Sequence, residues 1–196
     1  LSGSKLLGLG TRFKLYIQEG ASYNDVTPIR LTTAAGDVTF SATNGSSTIT
    51  VNETGHGAFE NDFVTFSGAA SLGGLIIANV LNQEYQILSV VNTNSYTITA
   101  KDTSGSTVTA NSSDTGNGGG STVGAYQINT GLDVFVAGTG WGIDSWGSGA
   151  WGSTSAISEG NQLRLWSMDI FGEDLIANPR SGSIYSSHQN LLLVLD

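Results

Sequence analysis

Cysteine is absent from the 196 residues, which excludes disulfides, thiol nucleophiles and thiolate-bound metals. Proline and histidine number two each, so imidazole chemistry has little to draw on. Positive charge is thin: seven Lys and Arg against sixteen Asp and Glu leave a formal net charge of −9. A chain this acidic does not hold nucleic-acid phosphates by itself, because that binding rests on Lys and Arg displacing counterions. The basic residues are Lys5, Arg12, Lys14, Arg30, Lys101, Arg164 and Arg180, and none clusters beyond the Arg12/Lys14 pair. No apolar run approaches the roughly 18–20 residues that a membrane helix needs, so no membrane insertion is expected. The opening stretch LSGSKLLGLGTRFK is not patterned as a signal peptide, lacking a long apolar core and a small-residue cleavage site. With no initiator Met at one end and the apolar run LLLVLD at the other, the chain reads as a piece of a longer polypeptide or a processed product.

Glycine, by contrast, numbers 27, and with many Ser, Thr and Asn it marks turn-rich β architecture. A hydrophobic share of 39% suffices for thin β layers. Residues 11–31 predict a strand from Arg12 to Gln18, a turn at Gly20 and an extended arm, with Thr27 biased to extended geometry by Pro28. From 38 to 126, short β-patterned segments recur about every ten positions. They are VTFSAT, STITVN, DFVTFSG, EYQILSVV, SYTITA, STVTA and VGAYQI. In Ile49-Thr50-Val51 and Tyr96-Thr97-Ile98-Thr99 the alternation turns apolar residues to a core and threonines to solvent. No helix of more than two turns is expected. The best helical candidate, Leu72 to Leu81, carries Gly73 and Gly74, each costing up to about 1 kcal/mol in a helix. NSSDTGNGGGST at 111–122 reads as a flexible loop or linker. The expected organisation is all-β. An N-terminal extended arm and strand occupy 1–37, a small β-sandwich or barrel module 38–126, and a Trp/Gly-repeat segment with C-terminal strands 127–196.

Trp141, Trp146 and Trp151 recur on a five-residue period that fits neither helix nor strand. Each is followed by Gly, which turns with φ > 0 at little steric cost. The series suits a packing ladder of indoles, set either within the chain or against a neighbouring subunit, with carbohydrate stacking as a third use. Trp166, in the alternating LRLWSM, reads as core, and Arg164 or Arg180 would anchor a neighbouring carboxylate.

Catalytic constellations were sought in the same residues. His56 in TGHG reads as a solvated turn residue and His188 in SSHQN as a loop residue, and no G-x-S-x-G elbow occurs. GSGAWG, 147–152, matches the dinucleotide fingerprint, but no helix follows to receive a pyrophosphate. Glu173 and Asp174 are adjacent, so in a strand they point to opposite faces, unlike a glycosidase pair. Asp62, Asp102 and Asp114 are scattered through turns without a calcium-loop pattern. No enzyme activity, metal or cofactor is expected.

Several stretches together resemble the tail nozzle (tail tubular) proteins of short-tailed bacteriophages. They are KLYIQEGASYNDVTPIR (14–30), the ENDFVTFSGA…EYQILSVV…SYTITA module, AYQINTGLD (125–133), the GWG…SWG…AWG series and LRLWSMDIFGEDLIANPRSGSIY (163–185). The FGEDL-x-x-NPR segment with the preceding LRLWS is the most specific; SSHQNLLLVLD departs from the Trp-Asp-rich strand the resemblance calls for next. The resemblance implies a strand entering a partial β-propeller-like region, and a subunit of an oligomeric ring below the portal and adaptor. It also implies homo-oligomeric contacts, neighbours such as the adaptor and tail fibres, DNA passing without specific binding, and a place in the virion tail. No catalytic residues come with it. A rival expectation is a host-binding tail-fibre or decoration module that stacks carbohydrate on Trp.

Overall fold

The computed structural model describes residues 6–131, 164–171, 174–180, 182–188 and 191–194. Its contacts divide the chain into two units, one of residues 1–28 with 130–196 and one running Ile29–Asn129. The fold is all-β apart from one four-residue helix among the described residues.

In the first unit, β1 (Leu6–Gly10), β2 (Leu15–Glu19) and β3 (Ser22–Asp25) form an antiparallel meander. Alternation in β2 buries Leu15 and Ile17 and leaves Tyr16 and Gln18 partly open. Glu19 faces Ser22 across a two-residue loop, and Gly20 takes φ +60° at its first position, where a II′ hairpin turn needs glycine. The extended continuation after Gly20 is thus a paired strand.

After the second unit the chain returns as β13 (Trp166–Phe171), β14 (Asp174–Pro179), β15 (Tyr185–His188) and β16 (Leu191–Val194). These form a four-stranded antiparallel meander, the form of a single propeller blade. The sheet of β1–β3 packs on this meander through glycine. A Cβ at Gly10 would lie 2.4 Å from Cδ1 of Trp166, and one at Gly8 2.8 Å from the Met168 sulfur. The Trp166 indole N–H donates to the carbonyl of Thr11 at 2.8 Å, so this half-buried ring is a polar clasp rather than plain core.

The Ile29–Asn129 unit is a two-layer sandwich. Its strands are β4 (Ile29–Thr32), β5 (Thr39–Ala42), β6 (Thr48–Asn52), β7 (Phe63–Ser67), β8 (Glu84–Gln86), β9 (Ser89–Asn92), β10 (Ser95–Thr99), β11 (Asp114–Asn117) and β12 (Val123–Gln127), with α1 (Ala78–Leu81) between β7 and β8. One sheet has the order β11-β5-β6-β10-β9 and the other β4-β12-β7-β8. Phe40 of β5 meets Phe66 of β7 edge-on at 5.1 Å, and Tyr96 of β10 meets Tyr126 of β12, so the two inner faces form one core. The first and last strands pair, Ile29 opposite Gln127, and the chain therefore enters and leaves this unit side by side. That is the geometry of a domain inserted into another. The unit contains the 38–126 stretch expected as a module and adds β4, which the sequence had assigned to the arm.

Two local expectations are corrected, and a third holds. The 111–122 glycine stretch is not a linker: it carries β11, and Gly118 and Gly119 are buried. A Cβ at Gly119 would stand 2.1 Å from the Val38 carbonyl oxygen, so the glycines serve close approach to β5 rather than flexibility. STVTA forms no strand, only a bridge between Lys101 and Thr107. In Leu72–Leu81 only Ala78–Leu81 is helical, because Gly73 (φ +58°) and Gly74 (φ +80°) make a tight turn closed by Leu72 N–H to Ile76 O at 2.8 Å.

Candidate functional site

Two groupings of chemistry-bearing residues stand out in the sandwich: a buried polar network and a surface groove. The network begins at Tyr96, whose hydroxyl lies 2.6 Å from that of Tyr126, while Tyr126 donates to Oε2 of Glu53. Glu53 follows β6, where Glu53 N–H bonds the Asn94 carbonyl and fixes the carboxylate beneath the sheets. Burial pushes the Glu53 carboxyl above its ordinary range, against the Tyr126 hydrogen bond and the nearby Arg30 charge. Burial likewise raises both phenols.

His56 joins this network and corrects the expectation of a solvated turn residue: it is 2% exposed. Ala58 N–H donates to its Nδ1 at 3.0 Å, which leaves Nε2 to donate to the Asn92 carbonyl at 3.0 Å. Its ring lies 4.9 Å from that of Tyr96, and its carbonyl accepts from Nη2 of Arg30 at 2.9 Å. Glu53, Tyr96 and Tyr126 are each under a tenth exposed. Both ring nitrogens of His56 are bonded within the fold, while the buried Nε of Arg30 finds no hydrogen-bond partner among the described residues. The arrangement ties two sheets together and presents no group to a substrate. Asp62, expected as a turn residue, is also buried, accepting from Phe59 N–H at 2.8 Å and from Asn129 Nδ2.

The groove lies beside β8, encloses about 410 Å³ and has two walls. One is the turn Phe59–Asp62, pinned by the Asp62 carboxylate and by Asn61 N–H to Ile87 O at 3.0 Å. Asn61 takes φ +73°, a left-handed conformation that asparagine tolerates. The other wall is the hairpin 101–107, where Asp102 Oδ1 accepts from Ser104 N–H and Ser106 N–H, both at 2.9 Å, and from the Ser104 hydroxyl at 2.6 Å. Those bonds hold the Asp102 carboxyl below the usual carboxylate range. The floor is Tyr85, buried, with its hydroxyl bonded to Val80 O and Gln83.

In the first unit, Lys14 is 5% exposed and its Nζ donates to Asp25 Oδ2 at 2.6 Å. Asp25 Oδ1 takes Thr27 N–H at 2.9 Å and the Thr27 hydroxyl at 2.6 Å. Burial acts to raise the Asp25 carboxyl, but the bonds from Lys14 and Thr27 prevail and hold it below its ordinary value.

Among the residues singled out in the sequence, Trp141, Trp146, Trp151 and Glu173 lie outside the described residues. Arg164 is half-buried with its guanidinium 5.7 Å from the Trp166 ring, and its backbone presses on Gly131, where a Cβ would lie 2.3 Å from Arg164 Cβ. Arg180 is exposed just after β14, and its N–H bonds the Leu165 carbonyl at 2.8 Å. No group of three metal-ligating side chains occurs among the described residues. The network was missed because Tyr96 and Tyr126 lie forty or more positions after Glu53 and His56, and no local spacing links the two pairs. The one signal was Tyr96 and Tyr126 on the core face of two alternating strands.

No family model and no curated protein matches the chain. Among solved structures it is similar to a phage phi92 endosialidase, with a TM-score of 0.39 and 13% identity over 99% of this chain and 38% of that one. The chain thus spans well under half the length of that protein, and a likeness at this score transfers neither fold nor activity.

Proposed function

We propose that the chain is a non-enzymatic structural subunit of a bacteriophage virion, a tail nozzle component that assembles as a homo-oligomeric ring around the DNA conduit. One observation carries the reading. The stretches resembling nozzle proteins at 14–30 and 163–185 lie far apart in sequence, yet the β2–β3 hairpin of the first and the β13–β14 hairpin of the second belong to sheets of one unit. The Trp166–Thr11 bond and the Gly8 and Gly10 contacts join those sheets. The chain between them forms the inserted sandwich. The ENDFVTFSGA…EYQILSVV…SYTITA stretch that shares the resemblance lies in that sandwich, so the resembling stretches are distributed over both units.

Other features support the same reading. Leu7, Leu9, Met168 and Ile170 are exposed on the first unit, as subunit contacts require. The net charge of −9 discourages DNA from adhering to a wall it slides past. The buried carboxylates and His56 serve the fold, which leaves them no part in turnover. In this reading the ring meets the adaptor and tail fibres, and Trp141, Trp146 and Trp151 pack at the subunit contact.

The test is gold labelling of virions with antibodies to the chain, together with assembly of Trp146→Ala. Label confined to the tail below the portal and weaker ring formation with the sandwich still folded support the proposal. Label on the capsid shell refutes the assigned place, and unchanged assembly removes the indoles from the contact.

A further inference from the structure

The groove beside β8 is floored by the core residues Tyr85 and Ile87, and its rim residues Glu60, Lys101 and Thr103 are exposed. Its walls are fixed before any ligand arrives, by the Asp62-pinned turn on one side and the Asp102-pinned hairpin on the other. Preformed walls spare a ligand the cost of ordering them. Its polar tips, in contrast, are idle. The side-chain ends of Glu60, Lys101 and Thr103 have no hydrogen-bond or ion-pair partner among the described residues, and Gln86 Nε2 reaches Asn61 only at 3.4 Å.

The groove, about 410 Å³ in volume, is open-sided and mainly polar, unlike the mostly apolar clefts usual for drug-like ligands. The chemistry of the lining selects the ligand. Carboxylates and an amide oxygen accept, while ammonium, hydroxyl and amide N–H donate, so both senses of hydrogen bond are offered at close spacing. A lipid or apolar side chain seated there would strip water from these groups without replacing their bonds. Three acidic residues, Glu60, Glu84 and Asp102, face one basic residue, Lys101, so polyanions are repelled. A metal ion finds no set of three ligating side chains. Leu88, half exposed at the groove, offers an apolar surface for the C–H face of a ring. On the same turn as Glu60, Phe59 is the sole aromatic among the large exposed apolar side chains of this unit.

We infer that this groove is a binding site for an uncharged saccharide, held by Glu60, Asn61, Lys101 and Thr103. The site is independent of the ring proposal and would stand on a monomer. It differs from stacking on the tryptophans, because the sandwich contains no Trp.

The test uses the full chain with maltohexaose, chitohexaose and, as the anionic control, sialyllactose, by isothermal titration and saturation-transfer NMR. Binding of a neutral hexasaccharide and not of sialyllactose is expected. Glu60→Ala and Lys101→Ala should each weaken it about tenfold, a loss of about 1.4 kcal/mol. Both residues are exposed, so the thermal melt should not move. Absence of binding at millimolar sugar, unchanged affinity in both variants, or stronger binding of sialyllactose would overturn the inference. Release of shortened sugars would overturn it too, by making the groove a catalytic cleft.

Discussion

The hydroxyls of Tyr96 and Tyr126 lie 2.6 Å apart and join the opposite sheets of the sandwich. Tyr126 gives its own proton to Glu53, so Tyr96 is the donor between the two phenols. The chain of bonds has a direction, and its members are unequal. Tyr126→Phe leaves a buried carboxylate and a buried hydroxyl without their partner and should cost about 1–3 kcal/mol. Tyr96→Phe leaves the bond to Glu53 intact and should cost about 1 kcal/mol. For a domain of about 100 residues each kcal/mol moves the melting temperature by about 4–8 °C, so calorimetry separates the two. Equal losses would mean that Glu53 does not depend on Tyr126.

The two units should answer acid in opposite directions. Glu53 has a raised carboxyl pKa, so its favourable contribution is complete below the unfolded value of about 4.3 and is lost as pH rises through the folded value. Asp25 has a lowered one, so its contribution is present above about 3.9 and is lost as pH falls through the folded value. All four tryptophans lie outside the sandwich, so Trp fluorescence reports the first unit. Three of the six tyrosines lie in each unit, so near-ultraviolet tyrosine dichroism follows both and reports the second by difference from the Trp signal. Lowering the pH from 7 should first strengthen the tyrosine transition, and only below about 4 weaken the tryptophan one. Glu53→Gln and Asp25→Asn should each flatten their own profile; a shared profile would contradict the assignment.

Gly119→Ala and Gly120→Ala test whether the 111–122 stretch belongs to the sandwich. A Cβ at Gly119 meets Val38 O at 2.1 Å and Thr39 Cα at 2.8 Å, whereas one at Gly120 meets nothing within 4 Å. The first should lose about 1–3 kcal/mol by overpacking, the second no more than about 0.5 kcal/mol. Equal melts for the two would restore the linker.

Gly10→Ala should loosen the first unit. Its Cβ would press on Trp166 from 2.4 Å, forcing the clasp to Thr11 apart, at about 1–3 kcal/mol. A lower transition followed by Trp emission is the expected result. An unchanged Trp transition would remove the glycine contact as the reason these sheets pack.

How much of this was readable beforehand follows from which interactions are local. The period-two alternation in SYTITA and STITVN places Tyr96, Ile98, Ile49 and Val51 in the core, and the structure buries all four. The turn at Gly20 is equally plain, since a single residue decides it. The glycines of 116–119 gave the opposite impression because glycine has no side chain to pattern; only the approach of β5 shows their purpose. His56 follows the Thr54–Gly55 turn, but its burial depends on Tyr96 and Asn92, forty and thirty-six positions onward. The pairing of Ile29 with Gln127, which makes the sandwich an insertion, is equally non-local. Glu60 and Lys101 line one groove only because the Phe59–Asp62 turn and the 101–107 hairpin come together in space beside β8.

The central claim, a subunit that assembles as a ring, is most directly tested by sedimentation velocity of the purified chain at neutral pH, with negative-stain imaging of the fastest species. The account predicts a discrete oligomer, an integer multiple of the monomer mass, that appears as a closed ring. A single monomeric species across micromolar concentrations, with no rings on the grid, would contradict it.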